Sequence, residues 1–128
     1  MTTFNPIMLP KVRSEKIMQA ANGQPCSLRI SSFVPGYNCS GRDTTIGAHL
    51  PVQGKGTSTK VTDLAVAFSC DRCHRILDGA SDEDMKRRTY IMERYPAAFI
   101  ERLLNGLVET HARLIEEGII EVPDADII

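Results

Sequence analysis

The 128-residue sequence predicts a small α+β domain held together by cysteines as much as by its core. Three observations carry that prediction. Four cysteines fall into two pairs, Cys26 with Cys39 and Cys70 with Cys73. Two short apolar segments, Thr44 to Leu50 and Leu64 to Phe68, have strand length, and Gly- and Ser-rich stretches lie around them. A long C-terminal run repeats apolar residues at i, i+3, i+4 and i+7. With 5% aromatic residues and no Trp, the core has few large anchors, and a covalent or metal staple gains importance.

The elements follow in order. Residues 1–13, with two prolines and no period, read as a flexible N-terminal arm. Ser14 is placed to cap a short helix that turns Ile17 and Met18 inward and stops at Gly23. Cys26 to Ile30 reads as a short strand entering a Ser/Pro/Gly/Asn loop that ends at Cys39. Residues 44–50 form a second strand, followed by a flexible basic loop from Gln53 to Lys60. Residues 64–68 form a third, ending at Cys70-x-x-Cys73, with His74 opening a helix to about Leu77. Ser81 and three acids after it read as the cap and first turn of a helix to about Arg94. Pro96 to Glu117 is the clearest helix, with proline at its start and Gly118 past its end. Its apolar positions are Ile100, Leu103, Leu104, Leu107, Val108, Leu114 and Ile115, with His111 among them. The division is thus a single domain over residues 14–120, flanked by the arm and an acidic tail at 121–128.

The bulk properties narrow the function classes. A composition of 42% hydrophobic and 24% charged residues is that of an ordinary globular domain. No run approaches the roughly 18–20 apolar residues of a membrane span, so no membrane partner is expected. The first residues carry no basic-then-apolar signal, which predicts a cytoplasmic location, where four cysteines favour a metal over disulfides. The net charge of −1 is uneven: residues 1–95 hold 13 Lys/Arg and 9 Asp/Glu, and residues 96–128 hold 2 and 7. Only the first part is suited to face a polyanion such as DNA.

Two thiolates from Cys70-x-x-Cys73, meeting Cys26 and Cys39 across a returning loop, would close a structural Zn²⁺ site. Three other readings compete, the plainest being four unpaired buried cysteines. A redox Cys-x-x-Cys wants a thioredoxin-like strand pattern that is absent here. Cys70 to His74 also fits c-type haem attachment, which would require export and leave Cys26 and Cys39 idle.

His74 and Asp78 lie four residues apart, one helical turn, so an imidazole and a carboxylate can share a divalent metal such as Mg²⁺ or Mn²⁺. His49 closes its strand, and a neutral imidazole is a good general base for water. Asp63 is a candidate orienting carboxylate for it. For each of these residues taken singly, a surface or structural role is the commoner one. Lys55, Lys60, Arg72, Arg75, Lys86, Arg87 and Arg88 surround these positions in sequence and are candidate phosphate contacts.

Together His49, the loop after it, Asp63 and the Cys70-to-His74 knuckle resemble the HNH, or ββα-metal, nucleases. The likeness is closest to the small nucleases of lambdoid prophages and runs from about Ala21 to Val122. Pro25 to Ile30, Ala48-His49, Gly56-Thr57, Asp63-Leu64, Ser69 to His74, Asp78 and Glu117 to Ile120 carry it. The resemblance implies a zinc-stapled ββα-metal core with additional helices, including the long C-terminal one. It implies phosphodiester hydrolysis of DNA in phage replication or recombination. By position, His49 would be the general base, His74 and Asp78 would hold the catalytic metal, and the four cysteines would hold zinc. Two positions depart from the pattern. Ala48 stands where many HNH proteins place another metal ligand, and Asp63 stands for the usual Asn. The competing function is a non-catalytic zinc module that binds DNA or a phage or host recombination protein. Part of the long helix face is also suited to a homodimer contact.

Overall fold

The computed structural model describes residues 11–52 and 61–128. The first ten residues lie outside that range, as does the stretch 53–60 with Lys55, Lys60 and Gly56-Thr57. Among the described residues, four α-helices and a two-stranded antiparallel sheet make an α+β fold. The elements are α1 (Glu15–Ala20), β1 (Ile46–His49), β2 (Val66–Ser69), α2 (Asp71–Asp78), α3 (Asp82–Arg94) and α4 (Pro96–Glu116).

Helix starts follow local chemistry. Ser14 Oγ accepts from Ile17 N–H at 3.2 Å and caps α1. Ser81 Oγ accepts from Asp84 N–H at 3.1 Å and caps α3, whose first turn is acidic. Proline opens α4, and Gly118, at φ 73°, ends it while Ile119 N–H returns to Leu114 O at 2.9 Å.

The sheet register pairs Ile46 with Ser69 and His49 with Val66. Alternation along the strands gives the hairpin two buried faces. Ala48 and Ala67 face a core shared with Ile76 and Leu77 of α2, Ile91 of α3, and Phe99 and Leu103 of α4. Val66 and Phe68 face the other core, with Ile17, Ala21 and Leu114. α4 also closes one edge of β2, because Thr110 Oγ1 accepts from Phe68 N–H at 2.9 Å. The Phe68 carbonyl accepts from Ser27 N–H at 2.7 Å.

Four expectations are corrected. Residues Cys26 to Ile30 form no strand: Arg29 takes a left-handed φ of 48°, and its N–H turns to Cys26 Sγ at 3.3 Å instead of joining a ladder. The segment expected as a strand over 64–68 is a 3₁₀ turn at Asp63–Ala65 followed by β2. Helix α2 starts at Asp71, not His74, so Cys70 caps it and Cys73 lies in its first turn. The apolar positions of α4 do not form one buried face. Its core residues are Phe99, Leu103, Gly106, Thr110 and Leu114, while Ile100, Leu104 and Val108 are 52%, 58% and 66% exposed. The reason is close approach. A Cβ on Gly106 would stand 3.0 Å from Leu28 Cδ2 and 3.1 Å from Ser27 O, so α4 turns its smallest residue to the chain at Cys26.

Candidate metal centre and histidine site

The hairpin carries a different site at each end. Cys70 follows Ser69 at one end, and His49 closes β1 at the other, about 10 Å away by strand rise.

At the first end, Cys26, Cys39, Cys70 and Cys73 bring four sulfurs within 4.8 Å of one another. Tetrahedral zinc with Zn–S near 2.3 Å requires sulfurs about 3.8 Å apart. Cys39 Sγ and Cys73 Sγ are 3.7 Å apart. All four cysteines are free of disulfides, and three are buried. Backbone donors already point at the sulfurs, Arg29 N–H at Cys26 (3.3 Å) and Ser31 N–H at Cys73 (3.4 Å). Such donors orient thiolate ligands and offset their charge. The donor set, spacing and supporting hydrogen bonds fit a structural Zn²⁺.

Thiol–thiolate sharing among the sulfurs points the same way. Hydrogen bonding with Cys39 draws the Cys26 thiol down to about 6. Hydrogen bonding with Cys26 draws Cys70 down as well. The same contacts push Cys39 and Cys73 up, so the cluster alone cannot ionise four thiols, and a cation would relieve the repulsion.

The surroundings of the cluster are built from all parts of the chain. Thr44 and Ser40 hydroxyls accept from the Asp71 and Arg72 N–H groups at 3.0 and 3.1 Å, capping α2 where Cys70 supplies no side-chain bond. From α4, Arg102 donates to Ser27 O and Leu28 O at 2.8 and 2.9 Å and pairs with Glu109 at 2.6 Å. Glu109 also holds Arg29 at 2.7 Å. Sequence reasoning missed this clamp, since nothing local links Arg102 to Cys26.

At the other end, His49 Nε2 lies 3.0 Å from Asp63 Oδ1. Asp63 is 6% exposed and also accepts from Ser14 N–H at 2.7 Å, with Arg13 Nη1 3.4 Å away. Burial pushes its carboxyl up, but the Ser14 N–H, His49 and the Arg13 charge outweigh that and hold it below the usual carboxylate range. An ionised carboxylate only accepts, so the His49 proton belongs on Nε2.

His74 Nε2 and Asp78 Oδ2 are 3.0 Å apart on α2, with side chains 30% and 38% exposed. His49 shares the hairpin face of Val66, whereas Ala48, fully buried, faces the core to which α2 contributes. The two histidine–aspartate pairs do not merge: among the described residues, the cysteine cluster alone gathers three or more metal-ligating atoms.

The described basic residues are mostly engaged. Arg72 and Arg87 lie over the Tyr37 ring at 4.3 and 4.1 Å. Asp84, buried, takes Arg75 at 3.1 Å and Arg87 at 3.0 Å, and Lys86 pairs with Glu83 at 3.3 Å. Arg88 Nε is buried without a hydrogen-bond partner.

A small α+β chain that gathers four cysteines beside two histidine–aspartate pairs defines a class before any comparison. It is a cysteine-clustered domain, suited to a structural metal. Comparison with known families is specific: residues 15–118 match the family described as "Putative nuclease YbcO", and the chain belongs to it. A solved structure described as "a putative bacteriophage protein" from Escherichia coli K-12 MG1655 is similar, at 26% identity and a TM-score of 0.52. The match covers 79% of this chain and 98% of that one. No curated protein matches. Among the described residues, no helix is long and apolar enough to cross a membrane.

Proposed function

We propose that the protein is a phage-type, metal-dependent endonuclease of the HNH, or ββα-metal, class, hydrolysing DNA phosphodiesters. The observation that carries this reading is the His49–Asp63 pair at 3.0 Å, set at the end of the strand that enters the hairpin–helix unit stapled by the cysteines. Membership of a family described as nucleases supports it.

In this reading His49 takes a proton from the attacking water, and the buried Asp63 carboxylate steadies the imidazolium that results. His74 and Asp78 would hold Mg²⁺ or Mn²⁺, with waters and a phosphate oxygen completing the shell. When bound, such an ion neutralises charge on the phosphate and stabilises the leaving oxygen. Ala48 offers no side chain to that shell, so the protein would supply two ligands, a count Mg²⁺ accepts because it keeps its waters. Within the described cluster 86–88, Lys86 and Arg87 have acidic partners and Arg88 has none, which leaves Arg88 the least committed candidate phosphate contact of the three. Arg75 and Arg87 share Asp84, and Arg72 and Arg87 share the Tyr37 ring.

Cleavage of supercoiled plasmid and branched DNA by the zinc-loaded protein, with Mg²⁺, Mn²⁺ or EDTA, tests the reading. Metal-dependent cutting by the wild type that His49→Ala abolishes, with zinc content and fold retained, is the expected result. Absence of cutting on every substrate would favour the second reading, a zinc module that binds DNA or a recombination protein. The buried apolar Ala48 is the observation on that side.

A further inference from the structure

The segment ahead of α1 reads as a loose arm in sequence, yet its last residues are stitched to Asp63. Asp63 N–H donates to Val12 O at 2.8 Å, and Val12 N–H donates to Thr62 Oγ1 at 3.0 Å. Arg13 Nη1 donates to Val61 O and also lies 3.4 Å from Asp63 Oδ1. Ser14 N–H takes the other carboxylate oxygen, Oδ2, at 2.7 Å. The two oxygens of Asp63 therefore have divided duties. Oδ2 is pinned by backbone, and Oδ1 is shared between Arg13 and His49.

That division has a chemical consequence. A carboxylate on a short side chain can pivot about its terminal bond. Fixing Oδ2 from one side and Oδ1 from another removes the pivot and sets the direction of the lone pair that meets His49. A guanidinium stays charged at any working pH, so it favours the ionised, accept-only carboxylate. Among the described residues, the other titratable groups near Asp63 include His49 itself, His111, whose Nε2 lies 2.8 Å from Leu64 O, and Glu15, which lines an open cleft of about 520 Å³ with Arg13, Ser14 and Asp63.

We propose that Arg13 is a positioning residue: acting through Asp63, it holds His49 with its proton on Nε2. The proposal rests on His49 as general base and adds to it the N-terminal segment as part of the site.

The test needs no substrate. Full-length, zinc-loaded protein labelled at histidine nitrogen and aspartate carboxyl carbon is followed by NMR across pH, beside Arg13→Gln and Arg13→Lys. In the wild type, His49 is expected to show a slowly exchanging Nε2–H and Asp63 to titrate below the usual carboxylate range. In Arg13→Gln the Asp63 midpoint should rise toward the usual carboxylate range. The Nε2–H should exchange about tenfold faster, as befits one weakened hydrogen bond. Arg13→Lys, which keeps charge without the fork, should restore the midpoint but not the slow exchange. A wild-type His49 protonated on Nδ1 would overturn the proposal with no variant needed, as would an Arg13→Gln protein unchanged in both readings. Failure here leaves the His49→Ala cleavage result standing, and failure of cleavage leaves the NMR result standing.

Discussion

The two ends of the hairpin are built by opposite strategies. The cysteine end is buried, and backbone, hydroxyls and the Arg102–Glu109–Arg29 chain all converge on it. The histidine end leaves His49 about 31% open and tied to the buried Asp63, whereas the His74–Asp78 pair lies on α2 directly after Cys73. Groups that stabilise a fold can be sealed from water, whereas groups that meet a polymer substrate must reach it. Perturbing the first end should therefore cost stability, and perturbing the second should cost chemistry.

The sharpest way to break this contrast is to strip the cysteines of any metal they hold. Structural zinc contributes about 10 kcal/mol or more in small domains, comparable to a whole domain's stability. Chelation, or Cys73→Ser at a fully buried ligand, is expected to unfold the protein by circular dichroism, with loss of one zinc per chain. A folded, zinc-free protein would show that the apolar cores suffice.

His49→Ala should do the reverse. If His49 is the proposed general base, its loss should lower cleavage rates by about 10²–10⁴, while the thermal midpoint and zinc content should stay near wild type, because His49 is partly exposed and outside both cores. A large loss of stability would move His49 to the structural side.

Asp63 sits between the two strategies. It is buried like a cysteine but serves the histidine. Asp63→Asn exchanges a charged acceptor for a neutral one under the Ser14 N–H and Arg13, and should cost about 1–3 kcal/mol. Its folded carboxyl lies below its unfolded value. Its stabilisation is therefore complete above the ordinary aspartate range and is lost as pH falls through the lower, folded value. Asp63→Asn should flatten the acid limb of a stability-against-pH curve in that window. An unchanged limb would assign the acid sensitivity to other carboxylates.

How much of this was legible in the sequence follows from how local each signal is. The cysteine set, the caps at Ser14 and Ser81, and Pro96 with Gly118 are readable because each acts within a few residues. Asp63 was readable as a partner for His49 by its place before β2. The bonds of Arg13 and Ser14 to Val61 and Asp63, and of Arg102 to Ser27, were not, because they span 48 to 75 residues and no local pattern marks them. The strand expected at Cys26 failed for a related reason. Its apolar alternation is real, but α4 and the sulfurs compete for its backbone and win.

Leu103 and Leu104 give the smallest and most discriminating contrast, since periodicity placed both on one inward face of α4. Leu103 is 6% exposed and Leu104 is 58% exposed. Leu103→Ala should cost about 2–5 kcal/mol by emptying the core beside Phe99. Leu104→Glu exchanges residues of similar helix propensity at an open site and should change stability by no more than about 0.5 kcal/mol. The comparison is read by thermal denaturation at two protein concentrations. If Leu104→Glu lowers the midpoint by several degrees, and only at the higher concentration, the stripe of Ile100, Leu104 and Val108 is covered in solution by a second copy. Equal midpoints at both concentrations would leave that stripe as solvent-facing surface and confine the energetics of α4 to the face that grips Cys26 and Phe68.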